Sequence, residues 1–262
     1  MADVLLTDRT DGVVTLTMNR PESLNSLSVE LKDALVSTLG DIAADLSVRA
    51  VVLTGSGRGF CVGQDLAEHI RLLQAEDPAP LSTVREHYNP IALALTQMPK
   101  PVIAAVNGTA AGAGASFSFA CDLRIVSRDA KFLLAFANVG LGLDSGVSWT
   151  LPRLIGSARA VELAMLAQPI TAQVAAEYGL TTQVVEAAQV LPVAQELAAR
   201  LAAGPTAAYA AIKQAIHFSA AHGLAESLEN EAVQQAAAGA TADHRTAVAA
   251  FVAKEKPVFV GH

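Results

Sequence analysis

The chain has 262 residues, is 52% hydrophobic and 16% charged, and carries a formal net charge of -7. That composition fits a packed chain with a large core and excludes extended disorder. The acidic balance, with no run of Lys or Arg, argues against nucleic acid as a partner.

Cys61 and Cys121 stand in no CxxC pair, and no His cluster has ligand spacing. No metal site is expected, and the thiols are expected free in a reducing compartment. The N-terminus lacks a basic region followed by an apolar one, and no apolar run approaches the ~20 residues that cross a bilayer. The expectation is a cytoplasmic protein with no membrane partner.

In chain order, residues 4–18 alternate around Asp11-Gly12. This predicts a β-hairpin with Val14, Leu16 and Met18 on one face. Ser28 is placed to cap a helix whose inward stripe is Leu31, Leu35, Leu39 and Ile42. Residues 49–54 read as a short buried strand, followed by the loop 55–59 and the small-residue turn Phe60-Cys61-Val62-Gly63-Gln64-Asp65-Leu66. Residues 67–90 are polar and contain prolines, which predicts a mobile helix and loop over a pocket, with His69 and His87 at the surface. A helix over 88–97 stops before Pro99.

The stretch from Lys100 to Asp122 then organises the chain. The apolar run Val102–Val106 has strand length, Asn107-Gly108 turns it, and Gly112 and Gly114 open a helix. A strand feeding a glycine-rich helix start presents free backbone N–H groups at the positive end of the helix dipole. Further strands are predicted at 123–126 and 132–134. Helices are predicted at 148–154, at 158–166 with Ser157 as cap, and at 172–178 with Thr171 as cap. From residue 191 four helical segments follow in alanine-rich sequence. The expected division is a core over 1–190 carrying the site and a helical region over 191–262.

Phe60-Cys61-Val62-Gly63-Gln64-Asp65-Leu66, Lys100 to Gly108 with Gly112-Ala113-Gly114, and Cys121-Asp122 together resemble the crotonase (enoyl-CoA hydratase/isomerase) superfamily. The resemblance covers essentially the whole chain. It implies an α/β fold, a crotonase-like (ClpP/crotonase) spiral of β-β-α units with a C-terminal helical trimerisation region. It also implies a coenzyme A thioester substrate, with coenzyme A part of the substrate and no separate cofactor, and self-association as a trimer or dimer of trimers. The C-terminal region would then serve oligomerisation and closure of the coenzyme A pocket. Carried over by position, the two oxyanion-hole N–H donors fall on Val62 and Ala113.

Hydratases of this superfamily hold water between two glutamates. Those positions are Ser116 and Phe136 here, so water addition is not expected. Asp144 instead matches the catalytic aspartate of the superfamily's dienoyl-CoA and ring-epoxide acyl-CoA isomerases. The latter group, from phenylacetate degradation, is the branch most similar to this chain. The residues alone also allow Asp144 to be a helix cap.

The implied acyl pocket is Ser116, Phe136, Asn138 and Trp149. The implied coenzyme A contacts are Leu24, Asn25, Leu27, Gln64, Asp65 and Leu66, with Phe251 and Lys254 reaching a neighbouring subunit. On the residues alone Asp65 reads as a structural turn or helix cap, and Lys254 equally as a solvated helix residue. Arg20, Arg58 and Lys254 are candidates for the phosphates. Three functions remain: an isomerase using Asp144, an enoyl-CoA hydratase using another acid-base group, and a non-catalytic acyl-CoA-binding protein.

Overall fold

The computed structural model describes residues 3–262. The hairpin forms as its alternation predicts, with β1 (Leu5–Thr10) antiparallel to β2 (Val13–Met18). Helix α1 (Val29–Ala44) starts at Ser28, whose side chain accepts from the Leu31 N–H, and it buries Leu31, Leu35, Leu39 and Ile42.

Three strand pairs then repeat one pattern. β3 (Ala50–Gly55) is followed by β4 (Gly59–Cys61), then α2 (Leu66–Gln74) and α3 (Asn89–Gln97). β5 (Val102–Val106) is followed by β6 (Thr109–Ala111) and α4 (Ala113–Ala120), and β7 (Leu123–Ser127) by β8 (Lys131–Leu133) and α5 (Val147–Ile155). The first strand of each pair joins one sheet, in the order β1-β2-β3-β5-β7-β10, and the second joins another, β4-β6-β8-β9. The pairs run parallel within each sheet, so the chain advances by one β-β-α turn at a time. The remaining elements are α6 (Ser157–Leu166), β9 (Ile170–Thr171), α7 (Ala172–Glu177), β10 (Gln183–Val185), α8 (Val190–Ala202), α9 (Thr206–Ser219), α10 (Leu224–Gly239) and α11 (Ala242–Ala253).

The central strands β3 and β5 of the larger sheet are covered on both faces, which is why they are almost wholly apolar, while the edge strand β1 is exposed. Val51, Leu53, Val102, Ala104 and Val106 face the main core. Ala50, Val52, Ile103 and Ala105 face α8. On α8 the stripe Val190, Ala194, Ala198 and Ala202 recurs every fourth residue, and its small side chains let the helix lie close on the sheet. Although sequence grouped it with the C-terminal helices, α8 thus packs as a layer of the α/β core.

Beyond it, α10 packs on α9 and on α11. Arg49 ties this region down, donating to Thr206 Oγ1 (3.0 Å) and to the Phe259 carbonyl (3.0 Å). One expected cap is corrected. Ser157 is the first residue of α6, whose N-cap is Gly156 at φ 81°, so α5 hands over to α6 with no linker in which a serine could cap. Thr171 does cap α7, accepting from the Val174 N–H. Among the described residues no helix is long and apolar enough to cross a membrane, and no group of His, Cys, Asp or Glu could hold a metal ion.

Candidate active site

Strand β4 ends at Cys61, and the chain turns through Val62 and Gly63, where φ is +85°. The Leu27 N–H donates to the Gly63 carbonyl (2.8 Å), and Leu27 bridges to Gln64, so the loop before α1 clamps this turn. A Cβ on Gly63 would lie 3.0 Å from the Ala111 carbonyl oxygen and 3.4 Å from the Ala113 nitrogen. The turn after β4 and the first N–H of α4 therefore lie side by side. A Cβ on Gly114 would come within 2.1 Å of the Cys61 carbonyl oxygen. Only glycine there lets the start of α4 dock on β4.

The Ala113 N–H opens α4 and finds no acceptor among the described residues, and neither does that of Val62. Unpaired N–H donors fixed in this way, one of them at the positive end of a helix, are the kind of group that can stabilise an oxyanion. Cys61 and Cys121 are buried and free, and burial pushes both thiols up to about 12, which makes them packing groups and not nucleophiles.

Ser116 is fully buried, and its hydroxyl donates to the Gly112 carbonyl (3.0 Å). Phe136 is buried too. No carboxyl group stands at either position. Asp144 lies in the loop between a single turn of 3-10 helix, Ala137–Val139, and α5. Burial raises its carboxyl pKa, and the Ser145 hydroxyl, donating at 2.7 Å, partly offsets the rise. The N-cap of α5 is Gly146 with no side-chain cap, so the Asp144 carboxylate is not spent on the helix.

The loops around the turn are held by polar groups expected to meet ligand. Asn25 is fully buried; its amide donates to the Ser56 and Gly59 carbonyls (both 2.9 Å) and its oxygen accepts from the Arg20 N–H. Asp65 caps α2 through the Ala67 and Glu68 N–H groups and accepts from Arg20 (2.9 Å) and Ser26 (3.0 Å). Burial alone would raise its pKa, but those hydrogen bonds together lower it. Arg20, a candidate for phosphate, is spent on this network, while Arg58 is exposed.

Leu27 is fully buried, Leu24 and Gln64 are partly exposed, and Leu66 is exposed at the start of α2. Phe251 and Lys254 are exposed at the end of α11, which packs on α10; within one chain neither is brought to the oxyanion turn. Asn138 donates to the Ala167 carbonyl (3.2 Å) and ties its turn to the end of α6. Trp149 lies under Arg153 (4.2 Å) and edge-on to His217. It lines a cavity of about 500 Å³ that begins at Ser145 and Gly146, and a second of about 550 Å³ toward α9.

Several groups near the site carried no signal in the sequence. His87 is not a free surface group: its ring bridges Thr83 (3.1 Å) and Asp33 (3.0 Å). Lys32 is buried and donates to Thr83 (2.8 Å), and burial lowers its pKa. His69 is half-buried, with a buried Nδ1 that has no partner. Tyr88 is buried with its hydroxyl unpartnered. Burial first, and then the charge of Asp144, raises its pKa.

With this geometry in place, the match to known proteins is direct. Residues 8–262 match the family model described as Enoyl-CoA hydratase/isomerase. The chain belongs to the enoyl-CoA hydratase/isomerase family. It is 44% identical to the 1,2-epoxyphenylacetyl-CoA isomerase of Escherichia coli (strain K12), covering 100% of both chains. It is 41% identical to a probable enoyl-CoA hydratase of Rhodobacter capsulatus, over 96% of this chain and 95% of that one. The crystal structure of an enoyl-CoA hydratase from Bacillus anthracis superposes with a TM-score of 0.92 at 33% identity, covering 99% of this chain and 100% of that one. The fold is thus the crotonase fold, as the glycine-rich motifs implied.

Proposed function

We propose that this member of the family is an acyl-CoA isomerase in which Asp144 moves one proton between two carbons of the acyl chain. The observation that carries the reading is the contrast within the site. The Val62 and Ala113 N–H groups are left without a backbone acceptor among the described residues, the two hydratase glutamate positions are Ser116 and Phe136, and the loop before α5 carries the half-buried carboxyl of Asp144, which caps no helix.

Asp144 takes a proton from a carbon conjugated, or able to conjugate, with the thioester carbonyl. The C–H electron pair moves into the chain, and negative charge develops on the thioester oxygen between the Val62 and Ala113 N–H groups. Asp144 returns the proton to a different carbon, the electron pair flows back, and a double bond has shifted with no water consumed. In a ring-epoxide substrate the same charge movement would accompany opening of the ring. A carboxylate whose pKa is raised by burial is a stronger base than one in water, which suits it to a carbon acid.

Asp144→Asn should reduce isomerisation of 3-hexenoyl-CoA to background while the affinity for the thioester stays within a few-fold. Full activity in that variant would overturn the assignment. The hydratase reading is favoured by the relatives of that name and requires water addition to crotonyl-CoA, read by loss of the enoyl absorbance. The exposed Ile212, Ile216, Leu228, Val233, Phe251 and Val252 on α9 to α11 support a trimer or dimer of trimers. In that assembly Phe251 and Lys254 would reach a neighbour's coenzyme A. Light scattering on the eluted protein tests the assembly.

A further inference from the structure

Four side chains join α1 to the turn before α3 in one unbroken chain. Lys32 Nζ donates to Thr83 Oγ1 (2.8 Å), Thr83 Oγ1 meets His87 Nδ1 (3.1 Å), and His87 Nε2 meets Asp33 Oδ1 (3.0 Å). Lys32 and Thr83 are buried, and the His87 side chain is only 14% exposed. The groups at the two ends assign every hydrogen between them. An ammonium can only donate, so the Thr83 oxygen accepts from Lys32 and its own hydrogen goes to His87 Nδ1. An ionised carboxylate can only accept, so the ring hydrogen sits on Nε2 of His87. The arrangement takes the neutral ring with Nδ1 bare, and each of the four groups is then satisfied by the next. A buried polar chain satisfied in this way is a rigid tie.

What the tie holds is a segment next to the site. His87 lies in a single turn of π-helix, Val84–Tyr88, which Thr83 precedes and which runs directly into α3. Such turns often mark functional sites. Residues 75–82 are largely exposed and connect this turn back to α2, the helix that leaves the turn after β4. Near its start α2 is tied to α1 as well, where Glu68 accepts from the Val29 N–H (2.9 Å). Both ends of the exposed connection are therefore stapled to the first turns of α1, which follows the Leu27 clamp on the turn after β4. On the other side, Tyr88 closes the π-helix and packs its ring edge-on against Phe117 of α4, with centroids 6.0 Å apart.

A second proton on His87 breaks the pattern. Nδ1 then becomes a donor aimed at the Thr83 oxygen, which already accepts from Lys32 and whose hydrogen points at the ring. The hydroxyl hydrogen loses its acceptor, and two cations meet at one buried oxygen. Asp33 faces the ring from α1, but its side chain is 64% exposed, so water screens its pull on the new charge. Around Lys32, burial lowers the pKa, and the carboxylates of Glu68 on α2, Asp33 on α1, Asp65 at the α2 cap and Glu86 in the π-helix oppose that. We propose that His87 is a positioning residue and a proton-sensitive latch for the acyl-CoA site. Its neutral ring holds residues 75–88 on α1, and protonation releases that segment and weakens thioester binding. The latch serves the acyl-CoA reading above and rests on it.

The test measures hydrogen–deuterium exchange of residues 75–88, corrected for the intrinsic pH dependence of exchange. It runs from about pH 8 to about pH 5.5, within the range where a histidine ordinarily changes charge. Binding of hexanoyl-CoA is measured by calorimetry at the same pH values. On acidification the wild type should lose about tenfold of its protection in this segment, with a several-fold loss of affinity in step. His87→Gln offers an acceptor to Thr83 and a donor to Asp33 but cannot titrate, so its protection and affinity should not change with pH. His87→Ala should exchange fast throughout. Protection in the wild type that ignores pH, a pH dependence that persists in His87→Gln, or an affinity that does not follow the loss of protection would each overturn the proposal. If the exchange behaves as expected but hexanoyl-CoA binds at no pH, the acyl-CoA reading falls and the His87 latch remains as a property of the fold.

Discussion

The two halves of the proposed site, one to hold an oxyanion and one to transfer a proton, are built on different physical terms. The oxyanion half is made of backbone, in the turn after β4 and the first residue of α4, and it is locked by the contact of Gly114 with β4 and by the pairing of Leu27 with Gly63. The proton-transfer half is one side chain on a loop that exposes Val139 and Leu143 and places Ser145 at φ 53° and Gly146 at φ 76°. The first half needs small residues and exact docking, and it is indifferent to most side-chain chemistry. The second is decided by which residue the loop presents. A family can therefore keep the polarising half while changing its reaction in the other, as the isomerase and hydratase names among the relatives suggest.

The largest expected effect breaks the backbone half. Gly114→Ala sets a methyl group against the Cys61 carbonyl, both parts of rigid backbone, so α4 must shift away from β4. Losing alignment of one oxyanion donor costs roughly 10²–10³ in rate. Turnover should fall by that order on every acyl-CoA alike. A Gly114→Ala enzyme with near-wild-type kcat would show that the α4 N-terminus is not part of the site.

The two carboxylates sharpen the contrast. Asp65 holds the loop beside the oxyanion turn through Arg20, Ser26 and the cap of α2, and its folded pKa is lowered. It contributes stability above its unfolded pKa, and that stability is lost as pH falls through the lower folded value. Asp65→Asn removes a charge-assisted partner and weakens a cap, at a cost of about 1–3 kcal/mol near neutral pH. The difference from wild type should close in acid. Denaturant melts at two pH values would read this, and a difference independent of pH would remove the ionised network as its source.

Asp144 has the opposite sign. Its folded pKa is raised, so stability falls as pH rises from the ordinary carboxylate value to the folded one, and the full cost is present above it. Below the ordinary carboxylate range both states are protonated and the cost vanishes. Asp144→Asn should therefore melt higher than wild type at neutral pH and no higher in strong acid, while isomerisation is lost. Such a gain is the usual trade of stability for function at a site. An Asp144→Asn melting temperature below wild type at neutral pH would mean that the carboxylate is structural.

The contrast also explains what could be read in advance. Glycine spacing and helix starts are local, so the turn at Gly63 and the helix start at Gly112-Ala113-Gly114, where the proposed oxyanion half lies, were legible directly. The β-β-α order came from the resemblance: apolar runs marked β3, β5, β7 and β8, while the three-residue β6 is too short to show as one. What escaped were meetings across the chain. Arg20 finds Asp65 across 45 residues, and Asn25 spans from Arg20 to Gly59. The alanine stripe of α8 reads as helix, but nothing local says that it faces β3 and β5.

The smallest expected effect lies within the loop half. The Ser145 hydroxyl donates to Asp144 and favours the ionised form, partly opposing the rise caused by burial. Ser145→Ala removes that donor, so the Asp144 pKa should rise further. The base must be ionised to act, and the acid limb of the pH–rate profile should then move to higher pH. At plateau pH the rate should fall less than tenfold, because the carboxylate itself remains. Ser145→Gly loses the same hydrogen bond but tolerates the left-handed backbone better, so it should show the same shifted limb with less loss of stability. A limb that stays in place in both variants would mean that the titration seen in the profile belongs to another group.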